Sequence, residues 1–216
     1  MMFVGREWET KQIIKEIHQG VNIIVSGKFG MGRTALVKKI SEILADERKF
    51  IFLDFSETPG QMAKRLMREL GLSSRNKKTG RKMGYKSMRY RIVTVRSSAQ
   101  NKPIIVFDNI AKLTPQKIIF LRNLLEERHF QIIAIVENFL PAKDLLRLKA
   151  QLYPTKFFAL NHLRPQDVLT LIHLYSDKYD LNWPDTYIRE LVSLVGRYPL
   201  GIIEMVRKQA RERNWT

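Results

Sequence analysis

The 216-residue chain contains no cysteine. That excludes disulfides and thiolate metal sites, and the four histidines, His18, His129, His162 and His173, are scattered without the spacing of metal ligands. No apolar run reaches the roughly 18 to 20 residues that a membrane helix needs. The N-terminus "MMFVGREWET" meets Arg6 and two acids before a signal-like core could form, so a soluble, cytoplasmic protein is expected. Acid is scarce as well: 21 Asp and Glu stand against 38 Lys and Arg, a formal charge of +17. From Leu70 to Phe107 acid is absent altogether, and ten cations fill the gap: Arg75, Lys77, Lys78, Arg81, Lys82, Lys86, Arg89, Arg91, Arg96 and Lys102. A chain with this imbalance associates with polyanions, of which nucleic acid is the commonest.

What is present is enough apolar residue, 44%, for a core, and a period that alternates along the chain. Trp8, Ile13, Ile14 and Ile17 recur at helical spacing before Gly20, and "VNIIVS" follows as a short β-branched strand. Leu36, Val37, Ile40, Ile43 and Leu44 return to the helical period. "FIFLDF" predicts a second strand, and Thr58, Pro59 and Gln61 combine capping-box spacing with proline in the first turn. A basic, glycine-containing loop, "GLSSRNKKTGRKMGYK", precedes a helix predicted from Lys86 to Ala99. "PIIVFD" predicts a fully buried strand, "TPQKIIFLRNLLEER" a capped helix, "FQIIAIVEN" another buried strand, "AKDLLRLKAQL" a helix and "TKFFAL" a fifth strand. Strands alternating with helices predict an α/β fold, a parallel sheet covered on both faces. After Asn161 only helical segments follow. The expected organisation is an α/β domain over residues 1–161, with a basic insert at about 73–86, and an all-helical subdomain over 162–216.

The chemistry is concentrated where the first strand meets the second helix. Gly27, Gly32, Arg33 and Thr34 match a phosphate-binding loop except that arginine stands in the lysine position. Such a turn between buried strand and helix converges backbone N–H groups on phosphate oxygens, and the helix N-terminus adds its positive dipole end. The loop residues Gly27, Lys28, Phe29, Gly30, Met31, Gly32, Arg33, Thr34 and Ala35 are the candidate phosphate contacts. Thr34 would donate its hydroxyl oxygen to Mg²⁺, and Arg33 would reach the phosphates with a wider, planar fork than an ammonium. Asp108, at the end of "PIIVFD", is placed to bind the Mg²⁺ shell. The next residue in hydrolysing enzymes of this class is usually an acid that polarises the attacking water. Here it is Asn109, an amide that orients water and takes no proton.

The order "FVGRE", glycine-rich loop, "IIVFDN", "IIAIVEN" and "GRYPLGI" resembles the AAA+ and STAND group of P-loop ATPases, especially archaeal-type ATPases and the related replication-initiator and transposition ATPases. The resemblance covers nearly the whole chain. It implies a three-layer P-loop fold with a C-terminal helical lid, ATP and Mg²⁺ as cofactors, Phe3 to Arg6 beside the adenine, Asn138 as the polar sensor of the γ-phosphate and Pro199 near the base. It also implies an arginine finger, from Arg147, a second subunit or another partner. The expected function is therefore that of an ATP-binding ATPase acting on DNA, with slow or partner-dependent hydrolysis. Two alternatives stay open at this stage: a non-hydrolysing nucleotide-dependent switch or scaffold, and a DNA-binding module with a vestigial nucleotide site. The candidate nucleic-acid contacts are Arg75, Lys77, Lys78, Arg81, Lys82, Lys86, Arg89 and Arg91, with Tyr85 and Tyr90 as stacking surfaces.

Overall fold

The computed structural model describes residues 3–75, 80–95, 102–126 and 128–213. In chain order the elements are α1 (Glu7–His18), β1 (Asn22–Gly27), α2 (Arg33–Ile43), β2 (Phe50–Asp54), α3 (Pro59–Glu69), α4 (Tyr85–Val93), β3 (Ile104–Ile110), α5 (Pro115–Glu126), β4 (Gln131–Glu137), α6 (Ala142–Gln151), β5 (Thr155–Ala159), α7 (Pro165–Lys178), α8 (Asp185–Leu194) and α9 (Pro199–Arg213).

The five strands form one parallel sheet in the order β2-β3-β4-β1-β5. Successive side chains leave a strand on opposite faces, and the sheet is buried on both, which is why the strands read as continuous apolar runs. Ile23 and Val25 of β1 pack with Ile133 and Ile135 of β4 against Ile13, Ile17, Leu36 and Ile40 of α1 and α2. Ile24, with Ile132, Ala134 and Val136, faces the other way onto the layer formed by α3 to α6. A third cluster, built from α7, α8 and α9, has its own core of Val168, Ile172, Ile188, Ile202 and Val206. This is the three-layer α/β fold of a P-loop NTPase with a C-terminal helical region.

β4 lies between β1 and β3, so three strand ends converge at the carboxyl edge of the sheet, the edge where open α/β sheets bind ligands. Phe55, Phe107 and Phe120 brace that edge from below, with edge-to-face ring pairs at 5.3 and 6.2 Å.

Three details differ from the sequence reading. β3 is buried from Ile104 to Phe107, but Asp108 and Asn109 emerge at its end, as a strand reaching a binding edge must. The helix expected over Lys86–Ala99 is α4, which ends at Val93: Thr94 closes it, its N–H bonding to the Tyr90 carbonyl and its hydroxyl to the Arg91 carbonyl at 3.0 Å. Residues 96–99 of that expectation lie outside the described residues, as do Lys77 and Lys78. The basic insert is anchored at its base, where Arg75 and Lys82 form an antiparallel bridge and Met83 N–H bonds to the Ser74 carbonyl at 2.9 Å. Leu72, Met83 and Tyr85 pack onto the main core beneath it.

Candidate nucleotide site

The loop between β1 and α2 has the geometry of an anion cradle. The first intrahelical bond of α2 runs from Leu36 N–H to the Gly32 carbonyl at 2.8 Å. The amides of Arg33, Thr34 and Ala35 therefore have no partner within the helix, and no side chain caps this end. Gly32, the N-cap, holds φ at 85°, and Gly30 holds 78°, both in the left-handed region open to glycine. Gly30 is also a close-approach point. A Cβ there would lie 2.3 Å from the Tyr198 hydroxyl oxygen and 2.7 Å from Leu200 Cβ, so the helical subdomain rests directly on the loop. The Tyr198 hydroxyl donates to the Phe29 carbonyl across that contact.

Thr34 and Asp108 come together although 74 residues separate them: the Thr34 hydroxyl donates to Asp108 Oδ2 at 2.9 Å. Asp108 Oδ1 accepts the Asn109 backbone N–H at 2.8 Å, and Asn109 holds φ at 61°. Two hard oxygen ligands lie side by side at the helix N-terminus, an arrangement that suits a small divalent cation such as Mg²⁺, which takes few protein ligands and keeps several waters.

Arg33 behaves differently from the sequence reading. Its guanidinium is 7% exposed and points to β4, bonding the Val136 carbonyl and both carboxylate oxygens of Glu137 at 2.7 Å each. The reason is register. Glu137 pairs with Gly27 at the root of the loop, which brings its carboxylate within reach of the guanidinium: Nη2 meets both carboxylate oxygens while Nη1 takes the Val136 carbonyl, charge-assisted contacts that hold the side chain against β4. Glu137 is also the residue β4 presents to the cleft. Asn138, expected there, lies in the exposed turn that follows, where Leu140 N–H bonds back to the Glu137 carbonyl at 3.1 Å.

The cleft above the loop has a volume of about 350 Å³, within the range of small-ligand sites. Its floor is the loop from Phe29 to Ala35 with Asn109 and Glu137, and its walls are Phe3, Val4 and Arg6 on one side and Leu163, Tyr175, Pro199, Leu200 and Ile203 of the helical subdomain on the other. Lys28 is exposed on the loop. Arg6 ties these parts together. Buried and at a φ of 68°, it caps α1 and donates to the Met31 carbonyl at 3.4 Å, to Glu9 at 3.0 Å and to the Asn161 carbonyl. Arg147, the finger candidate, lies on α6 with its side chain 52% exposed, 3.7 Å from Asp144.

Sequence reasoning missed Glu137, Tyr198, Tyr175 and the acid Asp54. Asp54 ends β2 as Asp108 nearly ends β3, and that repeated strand-terminal aspartate was the available signal. Slight burial alone would raise its carboxyl pKa. Hydrogen bonds from Ser56 and Asn109, together with the Lys117 charge, outweigh that and hold it below the ordinary aspartate range. Burial in turn lowers the Lys117 ammonium below its usual value, against the pull of Asp54.

On the outer face, Arg75, Arg81, Lys82 and Lys86 are exposed and Arg89 and Arg91 half-buried. A surface cleft of about 790 Å³ joins Arg75 to Lys64, Arg65 and Arg68 of α3. Tyr90 is 72% exposed among these cations, whereas Tyr85 is half-buried, and its burial raises its phenol pKa. Among the described residues no helix is long and apolar enough to cross a membrane.

The profile of a family described as AAA domain matches residues 17–142, more than half of the chain. No curated protein matches significantly. Among solved structures, Cdc6p from Pyrobaculum aerophilum superposes with a TM-score of 0.69 at 12% identity, covering 99% of this chain and 64% of that one. The Aeropyrum pernix ORC1 protein in complex with DNA gives 0.59 at 14% identity, covering 96% of this chain and 66% of that one. A Walker-type ATPase of Pyrococcus abyssi gives 0.60 at 14% identity, with 98% and 71% covered. The chain thus spans a little under two thirds of the length of the first two.

Proposed function

We propose that this chain, which belongs to the AAA domain family, binds ATP with Mg²⁺ in the cleft beneath its helical lid and acts on DNA held by its basic face, with slow or partner-dependent hydrolysis. The observation that carries the reading is the Thr34–Asp108 hydrogen bond at the uncapped N-terminus of α2. A glycine turn that only packed a helix on a sheet would have no need of an aspartate from β3 against its second helical residue. The triphosphate would lie on the loop amides, Thr34 and Asp108 would hold Mg²⁺, and the apolar wall of Phe3, Val4, Tyr175 and Pro199 would take the base. Mg²⁺ supplies charge neutralisation at the phosphates when bound.

The side chains around the phosphates support slow turnover. Asn109 orients water without removing its proton, and Arg33 is held by Glu137. That same engagement of Arg33 favours the second reading, a nucleotide-dependent switch or scaffold that does not hydrolyse. The exposed position of Arg147 suits a finger donated to a second copy or taken from a partner. For DNA, the support is the acid-free stretch from Leu70 to Phe107 with the exposed Tyr90 in it, and the fold shared with an ORC1 protein solved on DNA. The same reading sets the protein in the cytoplasm, where nucleotide and Mg²⁺ are at hand.

Thr34→Ala tests the site. It removes one metal ligand and the partner of Asp108, so calorimetry should show Mg²⁺-dependent ATP affinity falling on the order of tenfold or more, equivalent to about 1.4 kcal/mol or more. Equal affinity of variant and wild type would detach Thr34 from any metal role.

A further inference from the structure

The sheet is open at β5. In a parallel sheet, successive residues of a strand turn their backbone groups toward opposite neighbours. Asn22 N–H bonds to the Pro154 carbonyl at 3.1 Å and Leu160 N–H to the Ser26 carbonyl at 2.7 Å, so the even-numbered residues of β5 serve β1. The N–H and C=O groups of Thr155, Phe157 and Ala159 therefore face away from the sheet, and among the described residues no strand lies beyond them. The same outward row continues to Asn161, whose carbonyl is taken by Arg6. The rest of the row is a template for another extended chain.

A groove of about 470 Å³ follows this edge, between the first turn of α1 and the start of α7. Trp8 lines it, 64% exposed, and so does Phe157, 37% exposed, with Lys149 Nζ 4.5 Å from its ring centre. Lys156, Ala159, His162 and Arg164 line it too, all of them exposed. The opposite edge of the sheet is different: the side chains of β2 alternate between buried and half-buried, whereas Lys156, Phe157 and Ala159 of β5 are all exposed. A lone lysine is a common guard against strand pairing. Two exposed aromatic side chains serve no such purpose, and an added strand would set alternate side chains against them.

We propose that the β5 edge docks an extended, acidic peptide segment of a partner protein by strand addition. Phe158 is buried against α1 and α2, so Lys156 lies on that face of the sheet and Phe157 on the other, toward Lys149 of α6. The added strand meets one lysine on each face. Among the described residues neither lysine has a carboxylate partner, while the acids nearby are engaged: Glu9 with Arg6 at 3.0 Å, and Glu7 and Asp167 with Arg164 at 3.0 and 3.1 Å. Glutamate or aspartate on the incoming strand supplies the missing charge. A chain of formal charge +17 attracts such a segment from a distance and repels a second copy of itself. Nucleic acid, the other polyanion, has no amide backbone to match the row of N–H and C=O groups. Lys156, Phe157 and Ala159 lie outside the nucleotide cleft, so the proposal stands apart from the nucleotide reading.

The test is a selection of random short peptides displayed on phage, panned against the full chain and counter-selected on its Ala159→Pro variant. That substitution deletes an outward-facing N–H and leaves the ladder to β1 intact, and proline is found on edge strands in that setting. Thermal melting checks the fold of the variant; if it melts far below wild type, the double variant Trp8→Ala with Lys156→Glu takes its place. Enriched peptides should be rich in glutamate, aspartate and β-branched residues and lack proline at their centre. A synthetic copy of the most enriched peptide should protect the amides of Phe157 and Ala159 from hydrogen exchange, and should bind Ala159→Pro on the order of tenfold more weakly. Lys156→Glu and Trp8→Ala, both changes of exposed side chains, should each weaken it several-fold, the first more at low salt than at high. No enrichment on wild type over the counter-selecting variant, protection confined to amides outside β5, or indifference to Lys156→Glu and Trp8→Ala would each overturn the proposal. So would self-association of the wild type that Ala159→Pro removes, which would make the occupant a second copy.

Discussion

Raising the salt from 50 to 200 mM should weaken DNA binding on the order of a few hundredfold if about five cations of the basic face neutralise phosphates. Each such contact releases condensed counterions, so log affinity falls against log salt with a slope of about −0.9 per contact on duplex. The cations available for this are Arg75, Arg81, Lys82 and Lys86, exposed around the bridge at the base of the insert, with Arg89 and Arg91 on α4. Replacing Arg75, Lys77, Lys78, Arg81 and Lys82 by Ser should flatten the slope and leave ATP affinity nearly unchanged, because Arg75, Arg81 and Lys82 lie outside the nucleotide cleft and all five are distant in sequence from the nucleotide motifs. An unaltered slope in that variant would assign these charges to solubility and move the contact elsewhere, first to Arg207, Lys208 and Arg211 of α9. There Lys208 already lies 3.8 Å from Glu212, and Arg207 Nε donates to the Tyr179 hydroxyl at 3.3 Å.

Glu137→Gln should tighten ATP binding, the reverse of what removing a carboxylate does at most functional sites. Arg33 and Glu137 form an ion pair through Nη2 with side chains 7% and 13% exposed, so phosphate and Glu137 would compete for one guanidinium. In the nucleotide-free variant Arg33 loses its counter-charge, and unpairing a buried charge of this kind costs about 3–5 kcal/mol of stability. A bound triphosphate supplies the missing negative charge. Part of that cost then reappears as binding free energy, and a gain of about 1.4 kcal/mol corresponds to tenfold tighter binding. The two effects are read together: the variant should melt lower than wild type without nucleotide and be raised further than wild type by saturating ATP. A variant that binds ATP more weakly would mean that Arg33 stays with β4 when nucleotide arrives, and the loop amides would be the principal phosphate ligands.

Glu137 also shows where sequence reading runs out. The order of strands and helices was legible because the sheet is buried on both faces, and runs such as "PIIVFD" and "FQIIAIV" have no other use in a chain this polar. The loop was legible from glycine spacing, and Asp108 from its place at the end of a buried run. Residue 137 was not, because which of two consecutive polar residues faces the cleft depends on strand register: Glu137 opposes Gly27, and one position later the chain has already turned. The fate of Arg33 follows from the same register. Asp54 was hidden for a related reason, since the neighbour relation of β2 and β3 that brings it to Asn109 is a property of the sheet order. Tyr198 stood next to Pro199 in the quoted "GRYP", yet its contact with Gly30 depends on how the helical subdomain seats on the loop.

If the cleft between the loop and the C-terminal helical region is a nucleotide site, titration of the wild-type protein with a fluorescent ATP analogue, with and without Mg²⁺, shows it directly. The expected result is saturable binding that strengthens with Mg²⁺ and is displaced by unlabelled ATP. No saturable signal up to millimolar analogue in the presence of Mg²⁺ would contradict it, leaving the loop vestigial and the basic face as the functional surface.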